Sequence, residues 1–113
     1  MRTLVVLIFG AMLVSTAVEA RGTVTINELL DGCAKESANF DRGFCLGYMK
    51  AILEFRSAYD NAYRTRQTYC IPPQTSHDQL QDAFVGWAKK NRKNGSLPAL
   101  WGFTRSLNDQ YPC

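Results

Sequence analysis

Four cysteines, Cys33, Cys45, Cys70 and Cys113, constrain this chain more than any other feature, because all of them follow an apolar N-terminal leader. An even number of cysteines in a small exported domain reads as two disulfides, for which three pairings exist. Zinc needs close ligand pairs such as Cys-x-x-Cys, and there are none, while His77 is the only histidine. The pattern therefore predicts no metal and no other cofactor.

The leader sets the compartment. Arg2 supplies a short positive start, Leu4 to Val14 is apolar or small throughout, and Ser15 to Ala20 turns small and polar. Val18 and Ala20 stand where a signal peptidase requires small side chains, which predicts a signal peptide over 1–20 and a mature domain over 21–113. The apolar run is too short to anchor the chain, since a helix needs about 20 apolar residues to cross a bilayer. No membrane insertion is expected after cleavage, and the expected destination is outside the cytoplasm. Arg2 and Glu19 leave together, so the formal net charge stays at +3. So small a balance in an exported protein does not point to nucleic acid.

Helical periodicity fills the mature part. Thr25-Ile26-Asn27-Glu28 is a capping box, and Ile26, Leu29, Leu30 and Cys33 follow at helical spacing, predicting a helix to about Glu36. Asp41 suits the cap of a second helix reaching about Arg64. Its stripe of Phe44, Tyr48, Ile52, Phe55, Tyr59 and Tyr63, widened by Met49 and Leu53, predicts burial on most sides. Gly43 and Gly47 suggest close approach of another backbone. Cys70-Ile71-Pro72-Pro73 is an extended stop. Ser76 and Gln79 form a second capping box, opening a third helix with Leu80, Phe84, Trp87 and Ala88 inward and Asn94-Gly95 at its end. Ser96 is expected to cap a fourth helix whose inner face is Leu97, Leu100, Trp101, Thr104, Leu107 and Tyr111. The prediction is an all-α bundle of about four helices.

That architecture selects a disulfide pairing. Successive helices joined by short loops alternate in direction. Cys45 begins the second helix, which carries the chain roughly 28 Å away before it turns. Thr65 to Cys70 can retrace at most about 20 Å, so Cys45–Cys70 is geometrically poor. Cys33 lies at the same end as Cys45, and Cys70 at the same end as Cys113. The expected bonds are Cys33–Cys45 and Cys70–Cys113.

Catalytic signals are weak. Gly43-Phe44-Cys45-Leu46-Gly47 has the outline of a nucleophile elbow, but its flanks are helical and its cysteine is expected to be oxidised. His77 sits in a first helical turn, and Glu54, Asp60, Asp78, Asp82 and Asp109 form no pair that spacing can fix. No enzyme is predicted. Lys89, Lys90, Arg92 and Lys93 crowd one helix end, where the helix dipole accounts for them without a function and an acidic partner or membrane surface is the alternative. Tyr48, Tyr59, Tyr63 and Tyr69 read first as core and second as a surface half buried by a partner protein.

Cys45-Leu46-Gly47-Tyr48-Met49, then Cys70-Ile71-Pro72, then a helix from Thr75-Gln79 to Trp87, then Tyr111-Pro112-Cys113, together resemble the type VI secretion amidase immunity family. The resemblance runs from about Leu29 to Cys113. It implies a periplasmic, helical, disulfide-bonded and often dimeric antitoxin that binds a cell-wall amidase toxin and blocks its cleft. Where that family commonly has a short Asn-Pro loop after helix three, this chain has Asn91 to Ser96. The contact residues expected here are Lys89, Arg92, Lys93 and Asn94 in one loop and Pro72, Pro73 and Gln74 in another, with Trp101 a further anchor unless the core buries it. The competing class is a periplasmic acid-stress chaperone that loosens at low pH.

Overall fold

The computed structural model describes residues 22–34 and 39–113; the expected signal peptide lies outside the described residues, as does the expected end of the first helix. Four α-helices follow in order: α1, Ile26–Ala34; α2, Asn39–Tyr63; α3, His77–Lys90; and α4, Ala99–Gln110. A single 3-10 turn, Arg92–Asn94, lies between α3 and α4. Among the described residues there is no strand, and no helix is long and apolar enough to cross a membrane.

Local sequence accounts for two of the helix starts. Thr25 Oγ1 accepts from the Glu28 amide at 3.2 Å while Glu28 accepts from the Thr25 amide at 2.8 Å. Ser76 and Gln79 make the same reciprocal pair at 3.2 and 2.8 Å. Each satisfies two donors that a helix start would otherwise leave open. α2 begins two residues before Asp41, which sits in its first turn.

The core forms where α1 and α4 pack on α3 and the first half of α2. Ile26, Leu29, Met49, Phe84, Phe103 and Leu107 are fully buried, with Phe84 and Phe103 edge to face at 6.1 Å. Cys33–Cys45 lies within this core and Cys70–Cys113 at the surface, the pairing that helix alternation requires. By restricting the unfolded chain, bonds of this kind contribute about 2–4 kcal/mol each.

Three expectations fail for identifiable reasons. α3 stops at Lys90 with Asn91 as its cap, not at Asn94-Gly95, because the Asn91 side chain and amide turn back to the Trp87 and Ala88 carbonyls at 2.8 and 3.1 Å. α4 starts at Ala99 rather than behind Ser96, since Gly95 and Ser96 continue the turn that follows the 3-10 segment and Pro98 is bridged to Thr25 just ahead of α1. Its inner face is Ala99, Gly102, Phe103, Ser106 and Leu107, whereas Leu97, Leu100 and Trp101 are partly exposed. Small residues face inward because α1 approaches too closely for large ones: a Cβ on Gly102 would stand 2.5 Å from Ile26 Cγ1. Gly43 and Gly47, by contrast, face open space.

The burial expected of α2 fails as well. Only Cys45, Met49, Ile52 and Asp60 are buried, and Phe55 and Tyr63 are 63% and 69% exposed. At 25 residues α2 is about 37 Å long, while α1, with 9 residues, is about 14 Å. A helix cannot be covered beyond the reach of its neighbours.

Candidate partner-binding surface

The basic end of α3 is a rigid cationic feature. Lys89 and Lys90 close the helix, and the 3-10 turn adds Arg92 and Lys93, all exposed, with Asn94 half-buried. The turn holds its own shape: Asn94, Gly95 and Leu97 donate their amides to the Asn91, Arg92 and Asn94 carbonyls at 2.9, 3.1 and 3.0 Å. Position at a helix C-terminus favours the cations. The backbone is ordered before any partner arrives, so contact here avoids an ordering cost.

Both ends of this loop are tied to aromatic and polar anchors. Trp87, one turn before the cap, donates its indole N–H to Asp109 at 2.9 Å and meets Trp101 edge to face at 6.0 Å. Arg105 lies over the Trp101 ring at 5.8 Å, within reach of a cation–π attraction. Trp101 is 41% exposed, so the core does not bury it. A groove of about 340 Å³ runs alongside, lined by Asp82, Gly86, Trp87, Lys90, Asn91 and Asp109.

The second expected contact region lies elsewhere. Pro72, Pro73 and Gln74 are exposed on a tight turn closed by the Thr75 amide on the Pro72 carbonyl at 3.0 Å. The Cys70–Cys113 bond and the Cys70 amide, which donates to the Tyr111 carbonyl at 2.8 Å, fix that turn to the C-terminus. The two loops flank α3, whose 14 residues separate them by roughly 20 Å. The fold does not bring them together.

A third surface was expected mainly as core, with a half-buried interface on its tyrosines as the lesser reading. Phe55, Tyr59 and Tyr63 form an exposed ladder on the far half of α2, with ring centroids 6.1 and 4.7 Å apart. Tyr48, Ile52 and Phe55 extend it into a shallow apolar groove that reaches Leu100 of α4. Burial raises the pKa of Tyr48, offset in part by a hydrogen bond with the Leu100 backbone. The signal that could have revealed this face is helix length, because no other helix among the described residues is long enough to cover it.

The far end of α2 is closed by Asp60. Its carboxylate accepts from the Thr65 hydroxyl and from Arg56 Nε at 3.0 Å, while the Thr65 amide returns to the Asp60 carbonyl at 3.2 Å. The Thr65 hydroxyl, then Arg56, hold the Asp60 pKa below its ordinary value against the opposing effect of burial. His77 is exposed in the first turn of α3. Cys45 is oxidised, so the elbow-like sequence around it presents no thiol. Among the described residues no group of three or more His, Cys, Asp or Glu is arranged to hold a metal.

Residues 25–113 match the family model for Rap1a immunity proteins. The chain belongs to the Rap1a immunity protein family. No curated protein and no solved structure matches it. The matched span begins at the Thr25 capping box and ends at Cys113, so it contains all four helices, both disulfides and the basic loop. Membership in this immunity family implies a toxin as the binding partner.

Proposed function

We propose that this Rap1a-family protein is exported by cleavage after Ala20 and acts in the periplasm, where it inhibits a peptidoglycan amidase delivered by type VI secretion. The family match carries the immunity reading. The preordered basic loop supports the mode of action: residues 89–94 enter the amidase cleft, and Lys89, Arg92 and Lys93 steer the approach of an acidic partner. Trp101 lies against the same region as an aromatic anchor. The Pro72–Gln74 turn reaches the same toxin only if the toxin extends along the whole of α3. The protein works by binding and requires no catalytic group or cofactor of its own.

Two copies pair through the ladder on α2. Phe55, Tyr59, Tyr63 and the groove toward Leu100 are contiguous, and contiguous exposed apolar surface of this kind marks a face for a partner to cover. The deciding experiment is calorimetric titration of the oxidised mature protein into the cell-wall hydrolase encoded nearest its gene, with peptidoglycan cleavage followed in parallel. Nanomolar binding that abolishes cleavage is the expected result. Absence of heat and of inhibition, with both proteins folded, would refute the pairing.

A further inference from the structure

The chain before α1 and the chain before α4 cap each other's helices. The first amides of a helix have no partner within it. In α1, Ile26 donates to the Leu97 carbonyl at 2.9 Å, and Asn27 donates to the Gly95 carbonyl at 2.9 Å. In α4 the cap position is Pro98, whose side chain cannot accept a hydrogen bond, and Ala99 donates instead to the Val24 carbonyl at 2.7 Å. Thr25 and Pro98 stand opposite each other as an isolated antiparallel bridge. Three open donors at two helix starts are thus satisfied by one reciprocal pairing.

The pairing also brings Gly95 against Asn27. Its φ of −61° is open to any residue, so backbone conformation does not require glycine. A Cβ there would meet the far end of the exposed Asn27 side chain, which would have to swing aside to admit it. Ile26 then seats against Gly102, bringing α1 close to the start of α4. The contacts converge on residues 95–99, immediately after the 3-10 turn that carries Arg92 and Lys93.

We infer that Val24–Asn27 is the positioning element of the basic loop, holding it in its binding shape from outside the contact region. The inference rests on the reading of that loop as the toxin contact, and it makes the segment ahead of α1 a determinant of inhibition. Local hydrogen bonds fold the loop's turn, whereas the clasp fixes the turn's orientation on the bundle. Without the clasp, the cations remain present but are spread over many directions.

The test uses the full chain expressed with its own leader, purified with both disulfides intact, and followed by residue-resolved amide exchange. In the unaltered protein the Ile26, Asn27 and Ala99 amides are expected to exchange slowly and at matching rates. Fast exchange at Ile26 and Asn27 with protection elsewhere in α1 would overturn the clasp. Ala99→Pro removes the donor to Val24 at a first helical position where proline is accepted, and Pro98 already has the ψ of 136° that a following proline requires. It is expected to accelerate exchange at Ile26 and Asn27 at least tenfold and to weaken amidase inhibition at least tenfold, leaving α2 and α3 protected.

Ala99 is fully buried, so a second pair of variants guards against misfolding. Gly95→Ala is expected to loosen the loop and weaken inhibition less than Ala99→Pro does, and Asn27→Ala added to it to restore both, because every atom the new Cβ meets lies beyond the Asn27 Cβ. Loosened exchange with unchanged inhibition would overturn the positioning role. If the unaltered chain inhibits no amidase, the immunity reading falls, and the exchange pattern still decides the clasp.

Discussion

The basic loop and the far half of α2 are both exposed, and opposite physics exposes them. The loop is polar, short and tied down: backbone hydrogen bonds with Val24, Ile26 and Asn27 hold the residues that follow it to the start of α1, and local ones close its turn. The aromatic ladder is apolar and borne on a helix that outruns its neighbours. The first surface suits a partner that must be found quickly and fitted in one orientation. The second suits a contact driven by removing apolar area from water. The proposed toxin and the proposed second copy therefore need not compete.

The largest effect should come from placing like charges on the ladder. Phe55→Lys with Tyr63→Lys keeps good helix formers at exposed sites, so the monomer should retain its fold. Across a dimer interface the lysines repel and leave apolar partners uncovered. Sedimentation should show the dimer dissociation constant rising about hundredfold, near 2.7 kcal/mol. Inhibition per chain should change less than threefold. A comparable loss of inhibition would mean that the two surfaces act as one.

A smaller effect, on a different partner, should follow charge reversal in the loop. Lys89, Arg92 and Lys93 changed together to Glu should lower the association rate with the amidase about tenfold at low salt. The loss should shrink as salt is added, because screening removes steering. Stopped-flow rates over a salt series would show it, and dimerisation should not respond. An association rate independent of salt in both proteins would remove the loop's steering role.

The contrast also marks what the sequence could and could not reveal. Thr25/Glu28 and Ser76/Gln79 were legible because a capping box is complete within four residues. The disulfide pairing was legible because helix direction alone places Cys33 beside Cys45 and Cys70 beside Cys113. The inner face of α4 was not, since a hydrophobic count favours Leu100 and Trp101 while the close approach of Ile26 turns Gly102 inward, in line with buried Ala99. The start of α4 was hidden for the same reason: its capping carbonyl belongs to Val24, far away in sequence. Of the expected contact residues, the cations were legible as a cluster, but their distance from Pro72–Gln74 depends on where α3 ends. The ladder was misread because periodicity reports that a face is apolar and says nothing about what covers it.

Acid should act on one of these regions before the other. Asp60 has a folded-state pKa below its ordinary value, so its contribution is present above about pH 4 and is lost as pH falls through the lowered value. Protonation weakens the hold on Thr65 and Arg56 and frees the end of α2, while the clasp, built from backbone groups, has no titrating member. The protection of the Thr65 amide, taken relative to its intrinsic exchange rate, should therefore fall as pH drops below about 4, ahead of that of Ile26 and Ala99. Asp60→Asn should flatten that dependence. Simultaneous loosening throughout, with dye binding, would favour the acid-chaperone reading instead.

The smallest effect concerns the residue that closes the same turn. Arg64 has a φ of 52°, left-handed backbone, directly after the last residue of α2, and the Thr65 amide reaches back to the Asp60 carbonyl five residues earlier. This is the six-to-one bond of a Schellman ending, in which glycine normally occupies the left-handed position. A side chain there costs about 1 kcal/mol or more, and glycine removes the cost while adding freedom to the unfolded chain. Arg64→Gly should thus stabilise the protein by about 0.5–1 kcal/mol, a rise in Tm of roughly 2–6 °C for a domain of this size. Inhibition should not change if the loop alone meets the toxin. Lost inhibition in a stabilised protein would place Arg64, and with it the aromatic end of α2, in the toxin contact, and would collapse the division between the two surfaces.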